Sequence, residues 1–142
     1  MAAVPSVSVF VTTDTVFVIS QQMTDHGRVS VQPMLRLDKN TSADAVGAAV
    51  LRCLDEFQEI DGLPEPDHLQ GFLDFVGARS WTPFAKRAIN ISIGGPSRRR
   101  VTLSSARANG RGAYAYGESH ECRREPQAIG EMLLQLAGEH GS

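Results

Sequence analysis

The chain has 142 residues, of which 42% are apolar and 21% are charged, and its net charge at pH 7 is −2. This length suits one domain with one hydrophobic core, and the composition excludes a disordered chain. We therefore predict a single domain over residues 1–142, with flexible termini at 1–5 and 139–142. No apolar run approaches the roughly 20 residues of a membrane helix, and Met1–Pro5 lacks the basic start of a secretory signal, so we expect a cytoplasmic protein with no membrane partner.

The first third of the chain has the pattern of β-strands. Ser6–Thr12 alternates valines with other residues and Thr15–Ser20 is a β-branched and aromatic run, so together they predict a hairpin. Arg28–Leu37 is a third segment with alternating apolar residues. Because Pro33 has no backbone N–H, we expect this strand to lie at a sheet edge or to be bulged there, and an edge offers unpaired backbone groups to a partner.

Two helices are predicted next. The first begins at Thr41 or Ser42 and continues to about Ile60, because its apolar residues recur at three- and four-residue steps. Those residues are Val46, Ala49, Val50, Cys53, Leu54 and Phe57. The second runs from Pro66 or Asp67 to Val76 and is expected to bury four residues. They are Leu69, Phe72, Leu73 and Val76.

The second half of the chain alternates strands and turns before a last helix. Ser80–Phe84 carries the only Trp in a turn that is expected to close the core without forming a helix. Ala88–Ile93 and Arg99–Leu103 predict a hairpin, and Ala113–Tyr116 a further strand. Pro126 suits the first turn of a helix that should stop near Gly138. The order of elements predicts an α+β fold, with one antiparallel or mixed sheet of five to six strands and three helices packed on it.

Charge is divided along the chain. Residues 53–78 contain seven acids and no Lys or Arg, whereas residues 75–117 contain eight basic residues and no acid. The basic residues are Arg79, Lys86, Arg87, Arg98, Arg99, Arg100, Arg107 and Arg111. Such a division shapes the field around a protein and so its choice of partner. The alternative is that the two segments pack as neighbours and neutralise each other.

The sequence contains no clear catalytic or metal-binding motif. The segment closest to one is Glu118–Cys122, where His120 and Cys122 alternate, but a structural zinc site needs four ligands. Cys53 lies in the predicted apolar helix stripe and is expected to be a buried, inert thiol, so a disulfide is not required. We predict no metal, no cofactor and no enzymatic activity. A small hydrolase or nuclease that uses Glu118–Cys122 or the helical carboxylates is the competing hypothesis.

The acids after Cys53 allow three interpretations. On a helix, Asp55 and Glu59 share one face, which is usually solvated surface. Acid–base catalysis would need a cleft that shifts one of their pKa values. The third interpretation, a receptor for a basic surface, is favoured because the acids continue through Asp61, Glu65 and Asp67.

The basic segment from Arg98 to Arg111 supports an alternative function. Its arginines are suited to phosphate groups, although arginines also keep an edge strand soluble. Tyr114 and Tyr116 are the only aromatic residues close by that could stack on bases. A small nucleic-acid-binding module is therefore the second hypothesis.

Three stretches carry a resemblance to a known family. They are the hairpin VFVTTDTVFVIS from Val9, the helix AVGAAVLRCL from Ala45 and the turn WTPF from Trp81. In this order they resemble CdiI-type immunity proteins of bacterial contact-dependent growth inhibition systems, over about Val7 to Leu136.

The resemblance implies a cytosolic protein that binds, one-to-one, the C-terminal toxin domain of a cognate CdiA effector and neutralises it. Such toxins are often nucleases, and a nuclease presents a basic surface that an acidic partner can occupy. Nucleic acid is then not the expected partner. Some members of the family receive a toxin β-hairpin by strand pairing, for which the Pro33 strand is a candidate. The predicted toxin-binding residues are Asp55, Glu56, Glu59, Asp61, Glu65 and Asp67.

Overall fold

In the computed structural model, which describes residues 3–140, seven strands form one sheet and four helices pack against it. The strands are β1 (Ser6–Val11), β2 (Thr15–Thr24), β3 (Gly27–Asp38), β4 (Gln58–Glu59), β5 (Ile89–Gly94), β6 (Arg100–Arg107) and β7 (His120–Arg123). The helices are α1 (Ala43–Asp55), α2 (His68–Val76), α3 (Trp81–Arg87) and α4 (Pro126–His140). The predicted α+β class with a single sheet is confirmed, and the helix α3 and the short strands β4 and β7 are additions to the prediction.

The strand order is β3-β2-β1-β5-β6-β7, and each neighbouring pair is antiparallel. Both predicted hairpins, β1–β2 and β5–β6, are present, and β1 joins them by pairing with β5. The two residues of β4 pair in parallel with Gln22 and Met23 of β2, beyond the point where β1 begins. Because β1 pairs with β2 on one side and with β5 on the other, the N-terminal strand lies in the middle of the sheet.

The strand that contains Pro33 is both at an edge and bulged. β3 is the outermost strand on its side of the sheet. Ile19 of β2 faces Met34 while the next residue, Ser20, faces Val31, so Gln32 and Pro33 are extra residues on β3. Because two residues are inserted, the alternation of side chains between the two faces is preserved on either side of the bulge.

One face of the sheet is covered by α1 and α4 over an aliphatic core. Alternate residues of β1, β2, β5 and β6 point into it, and the fully buried ones are Val7, Val9, Val18, Ile91, Ile93, Val101 and Leu103. The two helices approach each other at glycines. A Cβ atom on Gly47 would lie 1.7 Å from the Pro126 carbonyl oxygen, and one on Gly130 would lie 1.7 Å from that of Ala43. Only glycine permits this backbone contact.

The other face is covered in part. The α2 and α3 helices pack over a cluster of aromatic rings centred on Phe84, which is 0% exposed and contacts Phe10, Phe17 and Phe72. The rest of this face, across β1, β5 and β6, has no helix over it and carries small polar side chains. They are Ser6, Ser8, Ser92, Thr102 and Ser104, which share the face by cross-strand register.

Two helix predictions in the first half of the chain were wrong in detail. The first helix ends at Asp55 rather than at Ile60, because Glu56 closes it through a hydrogen bond to Cys53 O and the chain then pairs with β2. Leu69 was predicted to be buried but is 51% exposed. It lies in the first turn of α2, and the buried residues of that helix begin one turn later, at Phe72.

Three later predictions also need correction. The Trp81 segment is a helix, because Pro83 falls in its first turn, where a backbone N–H has no helical partner to lose. The predicted strand at Ala113–Tyr116 is reduced to a single bridge between Ala108 and Tyr114. The last helix continues past Gly138 to His140.

The described ends of the chain make specific contacts. The Ala3 backbone N–H donates to Glu59 Oε1 at 2.6 Å, and Gly95 N–H donates to Pro5 O at 2.8 Å. The flexibility predicted for 1–5 and 139–142 stays a prediction, and residues 1–2 and 141–142 lie outside the described residues. Between residues 3 and 140, no helix has the length and apolar character to cross a membrane.

Candidate functional site

The uncovered part of the second face holds a groove with a polar floor. Asn90 of β5 is 2% exposed and its amide donates to Ser8 Oγ at 2.8 Å and to Val9 O at 3.0 Å. These bonds fix the amide, so that its oxygen accepts a hydrogen bond from the Tyr116 hydroxyl. Gln21 of β2 also lines the groove, whose volume is about 260 Å³.

One wall of the groove is the loop between β6 and β7, which is attached to the aromatic cluster. Trp81 Nε1 donates to Gly112 O at 2.9 Å, and the Tyr114 hydroxyl lies 3.1 Å from the carbonyl oxygens of both Ala85 and Ala88. Tyr114 and Tyr116 stack with their ring centroids 6.3 Å apart. Burial raises the pKa of both tyrosine hydroxyls, and for Tyr114 the neighbouring Tyr116 adds to the effect. At neutral pH both therefore act as hydrogen-bond donors.

The opposite wall is the start of α2. His68 Nδ1 lies 2.7 Å from Glu65 O, which anchors the ring, and Leu69 follows it at the rim. Leu69 and Tyr116, on opposite walls, are 51% and 46% exposed. Tyr is enriched at protein interfaces, so the exposed Tyr116 makes this groove a candidate protein-binding surface.

All six predicted toxin-binding residues lie on the exposed surface, but they do not form one patch on one face. Asp55 and Glu56 follow the C-terminus of α1, on the aliphatic side of the sheet, whereas Asp67 precedes α2 on the aromatic side. Glu59 and Asp61 lie between, where the chain crosses the end of the sheet beside β2. Asp55–Asp67, the acidic segment, is thus a band that wraps around the end of the sheet and reaches the rim of the groove.

The acidic segment is not neutralised by the basic segment. In the described part of the chain its one ion pair joins Asp55 to Arg124, at 3.6 Å, and Arg124 lies outside residues 75–117. Mutual neutralisation of the two segments is therefore not what the structure shows, and the band keeps its negative charge for solvent or a partner. The six carboxylates are not among the described residues that line the groove.

The arginines of the second hypothesis are not brought together as the sequence suggested. Arg98, Arg99 and Arg100 lie at the β5–β6 turn, whereas Arg107 is at the other end of β6, where it donates to His140 O. Arg111 lies in the loop beside Trp81. The arginines from Arg98 to Arg111 therefore do not form one continuous basic surface.

The segment that looked most like a metal site is an edge strand. His120 and Cys122 of β7 face Leu103 and Val101 across the ladder, on the aliphatic face, while Glu121 points the other way and pairs with Arg100 at 3.3 Å. Residues 3–140 hold no group of three or more His, Cys, Asp or Glu side chains placed to bind a metal. Cys53 is buried and free, and burial raises the pKa of its thiol.

The groove itself was missed by sequence analysis. Its signals were present as the alternation of Ser6 and Ser8 with valines on β1, and as Asn90 in an isoleucine-rich strand. Their significance depends on β1 and β5 being neighbours, and that pairing joins residues about 80 positions apart, which no local pattern reveals.

No protein-family model matches this chain, and no curated protein does. Its fold is similar to that of a chain in the CdiA-CT/CdiI toxin and immunity complex from Yersinia pseudotuberculosis, with a TM-score of 0.73 at 13% identity over 97% of both chains. It is also similar to a protein of unknown function from Neisseria meningitidis, with a TM-score of 0.75 at 11% identity over 96% of this chain and 95% of that chain. At these identities the likeness establishes a shared fold, and it supports the CdiI-like fold that the sequence resemblance implied.

Proposed function

We propose that this protein is a cytoplasmic immunity protein that binds the C-terminal toxin domain of a cognate CdiA effector, one-to-one, and neutralises it. The observation that carries the proposal is the end-to-end likeness, over 97% of both chains, to a chain from a toxin and immunity complex. The sequence resemblance points the same way independently of the comparison of folds. The protein contributes shape and charge to this complex rather than reactive groups.

The charge of the acidic segment supports a nuclease as the toxin. A nuclease needs a basic surface for its substrate, and a band of exposed carboxylates is attracted to such a surface and blocks it. Glu56 and Asp61 are exposed and make no side-chain hydrogen bond or ion pair within the described residues, so their charges are fully available. The exposed Leu69 and Tyr116 at the groove add apolar area beside the band.

The direct test is titration calorimetry with the C-terminal domain of whichever protein the neighbouring upstream reading frame encodes. We expect a one-to-one complex, and we expect the toxin to stop degrading nucleic acid once an equal amount of this protein is added. Absence of a complex at micromolar concentration contradicts the proposal.

The role of the acidic segment is tested by charge reversal. Glu56→Lys combined with Asp61→Lys should slow association and weaken the complex, with the loss greatest at low salt. Glu131→Lys combined with Glu139→Lys makes the same change in net charge on the exposed side of α4. This control should bind almost as the natural chain does. Equal loss in both double variants would mean that overall charge, not this band, is what the toxin recognises.

A further inference from the structure

The fold collects five arginines from two distant parts of the chain in one depression. Arg98, Arg99 and Arg100 come from the β5–β6 turn, and Arg123 and Arg124 from the end of β7. The depression has a volume of about 390 Å³, and Glu125 is the one acidic residue among the described residues that line it. We refer to this site as the arginine depression.

Backbone pairing holds the arginines together. Arg100 stands directly opposite Arg123 in the β6–β7 ladder, and Arg124 N–H donates to Arg99 O at 2.9 Å. Ser97 fixes the turn, because its Oγ accepts from the backbone N–H groups of Arg99 and Arg100 at 3.3 and 3.1 Å. Like charges directly opposite each other in an antiparallel pair are destabilising. A bound anion would offset this repulsion.

Most of the positive charge in the depression is not neutralised. Arg100 pairs with Glu121 and Arg124 with Asp55. The other three, Arg98, Arg99 and Arg123, are exposed and form no ion pair within residues 3–140. The helix α4 begins at Pro126, immediately after this cluster, so the positive end of its dipole adds to the same potential.

We propose that the arginine depression binds the phosphate backbone of a nucleic acid. The planar guanidinium group donates pairs of N–H bonds that match phosphate oxygens, and several such groups side by side suit successive phosphates. Aromatic rings are absent from the described lining of the depression, so bases are not stacked there and the binding is independent of base sequence. This function goes beyond toxin binding, and the three arginines that carry it, Arg98, Arg99 and Arg123, form no ion pair with the six carboxylates assigned to the toxin.

The test is fluorescence anisotropy with a labelled duplex DNA of about 20 base pairs and a labelled RNA strand of about 20 nucleotides. If three arginines each neutralise one duplex phosphate, affinity for the DNA should fall roughly 40-fold between about 50 and 200 mM salt. Arg99→Gln combined with Arg123→Gln removes two of the three, so the slope of log affinity against log salt should fall to about one third.

The matched control is Arg79→Gln combined with Arg111→Gln, which makes the same charge change at exposed loop positions outside the depression. It should leave the affinity and the salt slope close to those of the natural chain. Because Arg123→Gln relieves the repulsion with Arg100, it should not lower the free energy of unfolding, so a loss of binding in the depression variant does not arise from misfolding.

Three results would overturn the proposal. The first is that neither DNA nor RNA binds at about 50 mM salt. The second is that the depression and control variants lose binding equally. The third is that a free nucleoside triphosphate binds while neither the DNA nor the RNA does. A fourth contrary result is that the depression variant weakens the toxin complex while the natural chain binds neither nucleic acid, which would assign the arginines to an acidic protein surface.

Discussion

The two faces of the sheet differ in what covers them. The face under α1 and α4 is aliphatic and dry, and the two helices touch backbone to backbone at Gly47 and Gly130. The opposite face has an aromatic cluster under α2 and α3 and, beside it, a groove whose floor is a hydrogen-bonded amide, Asn90. The same strands build both faces, so the difference is carried entirely by alternate residues.

In this small domain the face under α1 and α4 mainly stabilises the fold, whereas the opposite face has side chains available for recognition. A closed face with aliphatic side chains supplies burial without specific polar contacts. The open face exposes Leu69 and Tyr116, while Tyr116 still donates a hydrogen bond to Asn90. The aromatic cluster beside the groove holds the loop that forms its wall, through Trp81 and Tyr114. The following predictions test this division of roles, in order of decreasing effect on stability.

Removal of Phe84 should have the largest effect. The ring is fully buried and contacts four other aromatic rings, so Phe84→Ala should lower the free energy of unfolding by about 3–5 kcal/mol. The control is Leu69→Ala on the same face, whose half-exposed side chain should cost less than about 1 kcal/mol. Urea unfolding followed by circular dichroism measures both. A small loss in Phe84→Ala would mean that the aromatic side is not a core.

Addition of a methyl group at Gly130 should be next. Its Cβ would collide with Ala43 O, so the helices must separate, and Gly130→Ala should cost about 1–3 kcal/mol. Gly71→Ala, in α2 on the open face, places a methyl where nothing lies within 4 Å. Helix propensity predicts a gain of about 0.5–1 kcal/mol for this control. If both variants had the same stability, the close contact between α1 and α4 would be refuted.

Changes to the groove floor should have a smaller effect. Asn90 is buried, and Asn90→Ala removes its hydrogen bonds to Ser8, Val9 and Tyr116, so we expect a loss of about 1–2 kcal/mol. Tyr116→Phe removes one of these hydrogen bonds and should cost about half as much. Thermal unfolding compares the two variants. A loss as large as that of Phe84→Ala would make the groove part of the core rather than a surface.

Ionisation of Tyr114 should have the smallest effect at neutral pH, where its hydroxyl keeps its proton. Its pKa is raised by burial, so the folded state holds the hydroxyl proton more tightly than the unfolded state does. The resulting stabilisation is complete below the unfolded pKa of about 10 and is lost as the pH rises above it. Tyrosinate absorbance during alkaline unfolding should rise together with loss of structure. Tyr114→Phe should reduce this pH dependence, and an unchanged profile would contradict the assignment.

Local patterns predicted most elements of the fold. Alternation in β1 and β3, the β-branched and aromatic run of β2 and the three- and four-residue spacing in α1 and α4 identified these elements, because such signals depend only on residues close together in the chain. Predictions failed where long-range pairing decides the outcome. α1 ends early because the chain after Glu56 pairs with β2, and the segment after Gly112 is held by Trp81 rather than by a strand ladder.

The candidate sites were less predictable for the same reason. The six carboxylates are exposed as expected, but their arrangement around the end of the sheet depends on α1 and α2 packing on opposite faces. The sequence placed Arg98–Arg100 with Arg107 and Arg111, whereas the ladder between β6 and β7 places them with Arg123 and Arg124. The residue types predicted which charged groups are present, but the pairing of the strands determines which of these groups lie next to one another.

The two-residue insertion in β3 has a consequence for solubility. An uninterrupted outer strand of this length would be a template on which further copies of the chain could add and polymerise. Pro33 supplies no N–H, and the insertion at Gln32 and Pro33 divides the ladder into two shorter runs. Indefinite edge-to-edge growth is therefore disfavoured, although the outer strand is 12 residues long.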